Sequence, residues 1–331
     1  MDKKPSLIDK FKDPNFKIAR KGKWYAIAPL VIILTGLVIV LVINFNLGLD
    51  FTGGRTIAVT GMTDANYSSV ENQVRNIMND VRSENNAGRG WAFTIRREDG
   101  DAITMAVQFQ DIGGLSVAQM NDLESDIGVR IEALLGGGVL GVENIGNISP
   151  AASQDHINRT FMAVALAIFA ILIYMLIRFK FTSGVAAMIG LIHDVLVMMA
   201  LVAIFRVQIN SAFIAALITV VAYSINNTLI LFDRIRGIEK MNENNETTEM
   251  MIDRGVKETF TRTMNTTITT LVPIFVLIIF GVPLIREFAV PILFGLIAGT
   301  FSTIFVTTSL YLRFENAKTA VKMKKKKKAT T

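Results

Sequence analysis

The stretch Ile209–Gly237, "INSAFIAALITVVAYSINNTLILFDRIRG", decides what kind of chain this is. Its first 24 residues, Ile209 to Phe232, carry no charged side chain. An α-helix rises ~1.5 Å per residue, so ~20 apolar residues cross ~30 Å of hydrocarbon. The run therefore reads as a membrane-spanning helix. Charge returns abruptly at Asp233, Arg234 and Arg236. Two adjacent amides, Asn226 and Asn227, lie just before that charge, with Asn227 about 7–8 Å of helix from Phe232. An amide donates and accepts hydrogen bonds but cannot carry a proton across a membrane.

The same pattern recurs along the 331 residues, 51% of them hydrophobic. That is too apolar for an ordinary soluble chain of this size. Six spans are expected, at 24–45, 158–177, 183–205, 209–232, 263–282 and 288–312. The first follows a basic segment, residues 1–23, holding eight Lys/Arg. It is longer than a signal-peptide core and no small-x-small cleavage site follows, so it reads as a retained anchor. With the N-terminus inside, the inner segments hold 24 of the 34 Lys/Arg, which places both termini on the cytoplasmic side. The tail 313–331 ends in "KMKKKKK", a run attracted to anionic lipid at about 1 kcal/mol per charge near the surface. Nucleic-acid contact is not expected from it. There is no Cys, hence no disulfide framework and no thiolate metal site.

Between the first two spans, residues 46–157 change character, with 15 Asp/Glu against 7 Arg. "RTIAVTG" reads as a strand and "DANYSSVENQVRNIMNDVR" as an amphipathic helix. "WAFTIRRE" and "AITMAVQFQ" are alternating runs around Asp99–Gly100–Asp101, "SVAQMNDLESDIGVRIEALL" is a second helix, and "GGVLGVENIGNIS" supplies a last strand. The order β-α-β-β-α-β is that of a ferredoxin-like unit. The expected fold is a polytopic α-helical membrane protein: six transmembrane helices and one extracytoplasmic α+β ferredoxin-like domain. The inner loop 233–262 is expected to hold a separate amphipathic helix on the membrane surface, and "GVPLIREF" a short outer turn.

Ionisable groups at membrane depth cost at least ~2.5–3.5 kcal/mol to insert, so they point to function. "IHDVL" in the third span carries His193 and Asp194. Neighbouring helix positions point about 100° apart, which does not make one bidentate site. No HExxH pattern and no third ligand accompany them, so no metal and no cofactor is expected. One deep Asp does not make an aspartyl protease, and no nucleophile–base set makes an enzyme. Span five opens with "TRTMNTTITTL", placing Arg262, Asn265 and Thr266 at its inner end. So many small hydroxyls suit close helix contact or a polar path.

At these residues the chain resembles the SecF members of the SecD/SecF family, within the resistance–nodulation–division superfamily. The resemblance rests on "GLDFTGGRTIAV", "LIYMLIRFKF", the "IHDVL" to "FDRIRG" block, "TRTMNTTITTL" and "IREFAVPILFGLIAGTFSTIFV". It covers nearly the whole chain in order. It singles out Asp50, Phe51, Thr52, Gly53 and Gly54, and Asp233, Arg234 and Arg236, as motif residues. It implies a bacterial cytoplasmic (inner) membrane protein that pairs with SecD, associates with the SecYEG channel and YajC, and uses an ion gradient to assist late export of unfolded polypeptide. The family pattern in span four is Tyr-Ser-hydrophobic-Asn-Asp, with the Asp in the ion path. Here Tyr223, Ser224, Ile225 and Asn226 match, and Asn227 stands where the Asp belongs. Arg262, Asn265, Thr266 and His193–Asp194 match the family, while Gly237 stands where Glu is usual.

The amide removes a titratable switch. Three arrangements then remain: a titratable group in SecD, coupling through Asp194 or a cation held by amide and hydroxyl oxygens, or a structural half that carries no ion. The first is the reading preferred from sequence. A small-molecule or lipid exporter of the same superfamily is the competing class, although such exporters usually carry two six-span halves in one chain.

Overall fold

The computed structural model describes residues 19–85, 87, 91, 93–99, 103–112, 115–134, 141–148, 150–241 and 246–329. The basic segment before Ala19 and the turn at Gly100–Asp101 lie outside the described residues. Five helices are long and apolar enough to cross a membrane. They are α4 (Pro150–Arg178), α5 (Phe181–Ile204), α6 (Ser211–Lys240), α7 (Thr248–Phe280), and α8 (Pro283–Phe301), which runs through a π-helical stretch, Ser302–Thr307, into α9 (Thr308–Ala329). A shorter apolar helix, α1 (Ile27–Ile43), precedes them.

Small residues set the distances between these helices. A Cβ on Gly190 of α5 would lie 2.2 Å from Thr307 Oγ1. One on Gly295 of α8 would lie 2.3 Å from Val220 of α6, and one on Gly36 of α1 2.5 Å from Ala200 of α5. With lipid outside, helices gain little from hydrophobic burial, so close backbone approach and van der Waals contact hold them together. By contrast α4 turns Phe161, Met162, Leu166 and Phe169 outward.

With the end of the bundle that carries it taken as outer, the α/β unit contains β1 (Gly54–Met62), α2 (Asp64–Glu84), β2 (Phe93–Asp99), β3 (Ile103–Phe109), α3 (Val117–Leu134) and β4 (Gly141–Ile148). Its sheet runs β2-β3-β1-β4 with every neighbouring pair antiparallel. Alternation sends Ile57, Val59, Met105, Val107 and Phe109 to one face, where Val74, Met78 and Val81 of α2 and Met120, Ile127 and Ile131 of α3 cover them. Arg55, on that buried face of β1, is 3% exposed. It pairs with buried Glu124 and bonds Asn121 at 2.8 Å and Asp111 at 3.3 Å. Alternate residues, Thr94, Arg96 and Gln108, take the face without helices.

Three expectations change. The inner-loop helix is not separate: α7 is one 33-residue helix that includes both it and the expected span five. No proline interrupts the chain from Thr248 to Val272, and Pro273 falls inside the helix. The outer turn shrinks to Gly281–Val282, because Pro283 sits at the first position of α8, where its missing N–H has no helical partner to lose. α6 continues past Phe232 to Lys240.

Two glycines give opposite expected outcomes. Gly190→Ala forces α5 away from Thr307 of the π-helical stretch and lowers the unfolding temperature in detergent. Gly237→Ala meets nothing within 4 Å and raises it, by roughly 1 kcal/mol of helix propensity.

Candidate functional site

The buried polar centre sits where α5, α6 and α8 meet. Asp194 of α5 is fully buried. Its Oδ2 accepts from Ser224 Oγ of α6, and its Oδ1 lies 3.0 Å from His193 Nδ1. A Cβ on Gly299 of α8 would lie 3.4 Å from Asp194 Oδ2 and 3.2 Å from Ser224 Cβ, so the third helix closes the site by lacking a side chain. One turn along, Thr228 and Thr303 share a hydrogen bond at 3.1 Å, and Thr307 faces Gly190. Spacings of four residues thus align Gly190–Asp194, Ser224–Thr228 and Gly299–Thr303–Thr307 on three facing stripes. The π-helical stretch holds Thr303 and Thr307 within that stripe, and such bulges recur at functional sites.

The adjacent pair does associate, although neighbouring helix positions diverge, because the imidazole turns back onto its neighbour's carboxylate. His193 Nε2 is buried without a partner among the described residues. The residue borders an apolar cavity of about 200 Å³ between α1, α5 and α8, with Pro29, Ile32, Val197 and Phe301 around it. His193, Asp194 and Ser224 therefore form a continuous chain of three polar groups from that cavity to α6.

Asn227 is 1% exposed, and both its amide atoms lack partners among the described residues. Asn226 is exposed. The other expected residues do not converge on Asn227. Arg262 and Asn265 are exposed on α7 and Thr266 is half-buried, its hydroxyl donating to Arg262 O at 2.9 Å. Thr263 and Thr267 are the buried hydroxyls of this segment, and Thr267 is the one that bonds across to other helices. It bonds Thr300 at 3.0 Å and accepts from Tyr223 at 3.1 Å. The composition of "TRTMNTTITTL" could not say which hydroxyl points in, because a 3.6-residue repeat must be phased by neighbours.

At the inner end, Asp233 pairs with Arg178 at 3.2 Å and Arg236 donates to Arg178 O at 3.4 Å. Arg234 pairs with Glu258, in the polar inner part of α7 before its apolar run. Burial would raise the Glu258 carboxyl, but hydrogen bonds from Arg234 and Arg254 outweigh it and hold the group below its usual range. These contacts clasp α4, α6 and α7.

At the outer end the Asp50–Gly54 motif has a structural reading. Asp50 accepts from the Ser211 backbone N–H at 2.9 Å and from its hydroxyl, placing a carboxylate at the positive end of α6. Gly53 (φ 69°) and Gly54 (φ 138°) then turn the chain into β1. A Cβ on Gly54 would lie 2.3 Å from Phe109 O. Phe51 contacts His156, whose Nε2 is 3.0 Å from Ser211 Oγ. Arg96 of β2 reaches Glu287 of α8 at 2.8 Å, and Glu287 also accepts from Asn210, the N-cap of α6. Arg96, Glu287, Asn210 and Ser211 carried no signal in sequence, since each gains its meaning from a distant partner.

These features are those of a membrane protein with a polar helix junction and a small α/β unit tied to its outer end. The profile "Protein export membrane protein SecD/SecF, C-terminal" matches residues 139–317, and the "SecD/SecF GG Motif" matches 42–60. The chain belongs to the SecD/SecF protein-export membrane protein family. It is 26% identical over 90% of its length to protein translocase subunit SecF of Petrotoga mobilis, covering 96% of that protein. It is 26% identical over 89% of its length to protein translocase subunit SecDF of Bacillus subtilis, spanning 37% of that longer chain. The crystal structure of Thermus thermophilus SecDF, a translocon-associated membrane protein, superposes with a TM-score of 0.71 and 27% identity, covering 94% of this chain and 39% of that one.

Asn227→Leu removes, at similar volume, two buried polar atoms without partners among the described residues. It is expected to raise the unfolding temperature in detergent, since such atoms cost about 1–3 kcal/mol. A fall would mean that the amide is paired.

Proposed function

We propose that this chain is a SecF-type accessory subunit of the Sec protein translocase, acting with SecD to assist ion-gradient-driven late export of unfolded polypeptide across the bacterial cytoplasmic membrane. One observation carries the reading: the chain matches SecF along nearly its whole length and part of longer SecDF chains, whose name joins the two subunits. The polar groups Asn226, Arg262 and Asn265, exposed on the bundle, support a helical partner at membrane depth, and SecD is the proposed one. On this reading α1 is a sixth span, both termini are cytoplasmic, and the outer unit is ferredoxin-like, as its chain order and sheet order suggest. Association with SecYEG and YajC, and attraction of the lysine tail to membrane lipids, belong to the same proposal.

Proton coupling needs a group that changes charge. Asn227 cannot, so within this chain Asp194, bonded to His193 and Ser224, is the candidate. Asp194→Asn keeps the shape and can still accept from Ser224, but loses the charge. It is expected to abolish the gradient-dependent stimulation of export in membrane vesicles while SecD still co-purifies. Unchanged stimulation would place the coupling group in SecD, and failure to recover SecD with the unaltered chain would count against the subunit reading itself.

A further inference from the structure

The helix-free face of the sheet roofs a cavity that takes no part in the buried polar chain. Its volume is about 360 Å³, and it lies between that face and the outer ends of α1 and α5. Its one charged lining residue is Arg206, an exposed cation, and no carboxylate borders it. The Arg206 guanidinium donates to Asn44 O, the C-cap carbonyl of α1, and so uses one of its five N–H groups. Arg206 also stands at φ 54°. There it closes α5, with the Val207 N–H bonded to Val202 O at 3.0 Å, a closure usually made by glycine. A side chain at that φ is unfavourable in a way that glycine is not. The position thus carries a cation where glycine is the easier fit.

A second group in the cavity is unsatisfied. Gln208 is 7% exposed, borders the cavity, and its Oε1 has no hydrogen-bond partner among the described residues. A buried acceptor in that state is unfavourable until a donor arrives. A cation without a counter-ion calls for one negative charge, and the orphan acceptor calls for a neutral donor beside it. A phosphodiester with a hydroxylated headgroup brings both, and a guanidinium matches phosphate oxygens well. The surroundings favour a lipid over a free anion. The cavity lies where two apolar helices end, and Val38, Leu41, Val42 and Ile43 lead away from it along α1 with exposed side chains. Phe45 and Leu47 line it and also a second cavity, of about 330 Å³, whose lining is apolar apart from Thr160. A charged chamber and an apolar one against the same two side chains match the two ends of an amphiphile.

We propose that this cavity holds the headgroup of an anionic glycerophospholipid of the phosphatidylglycerol type. The Arg206 guanidinium meets its phosphodiester, Gln208 Oε1 accepts from a headgroup hydroxyl, and an acyl chain lies on the apolar surfaces alongside. A lipid held there fastens the sheet to the ends of α1 and α5 at the membrane surface. The site goes beyond the export reading and does not depend on it.

The test uses the purified full chain in maltoside micelles, titrated with dioctanoyl phosphatidylglycerol and read by native mass spectrometry. Saturable binding is expected, with dioctanoyl phosphatidylcholine about tenfold weaker. Arg206→Gly is expected to weaken phosphatidylglycerol binding about tenfold and to keep the fold, since φ 54° suits glycine. Gln208→Leu is expected to weaken it as well. If that variant does not fold, a phosphatidylglycerol analogue with methylated headgroup hydroxyls removes the same bond and is expected to bind more weakly. Arg159→Gln, which removes an exposed cation of α4 outside the cavity, leaves binding unchanged. Equal binding of the two lipids, undiminished binding to Arg206→Gly, or an equal loss in Arg159→Gln each overturns the proposal. So does full competition by glycerophosphoglycerol, which would mark a site for a free anion.

Discussion

The carboxylate of Asp194 is the constraint around which the bundle is arranged. A buried carboxyl group in a membrane must be met by hydrogen bonds, and Asp194 meets that need with Ser224 from one helix and His193 from its own. Those short contacts require the helices to approach closely. Gly299 lets α8 reach both partners, and Gly190 lets Thr307 come within reach of α5. The small-residue seams and the polar centre are therefore one feature: removing the side chains that would separate the helices is what lets the carboxylate be solvated by protein.

The outer unit is coupled to this bundle by a second, smaller set of interactions at the head of α6. Asp50 and Asn210 both cap that helix, and Glu287 links Asn210 to Arg96 of the sheet. The helix carrying Ser224 and Asn227 is thus held at its outer end by groups from the domain above it. A displacement of the sheet would be felt first at the N-terminus of α6, through capping bonds whose strength depends on geometry. The Asp50–Gly54 motif contributes its carboxylate to that joint and its two glycines to the turn that leads away from it.

Much of the architecture was legible in the sequence because hydrophobic length and periodicity are local properties. Apolar runs located the bundle helices, and alternation located all four strands and both helices of the outer unit to within a few residues. The errors fell where local signals are weak. The inner-loop helix and span five join because the helix passes through Pro273, and the outer turn shortened because Pro283 opens a helix instead of ending one. His193 and Asp194 stood out as costly residues. The residues that meet them did not, since Ser, Thr and Gly are ordinary in any membrane helix.

The sequence by itself determined the membrane class, the family through its motif residues, and the untitratable amide at Asn227, because each depends only on which residue occupies which position. Tertiary structure decided what those positions do. It buried Asn227 and left Asn226 exposed, turned Thr267 inward and Arg262 outward, and gave Asp194 its partners. It also set Gln208 beneath the sheet with an acceptor unpaired among the described residues. The physical reason is that a helix repeats every 3.6 residues, so neighbours in sequence face different surroundings, and only the packing of one helix on another fixes which face is buried.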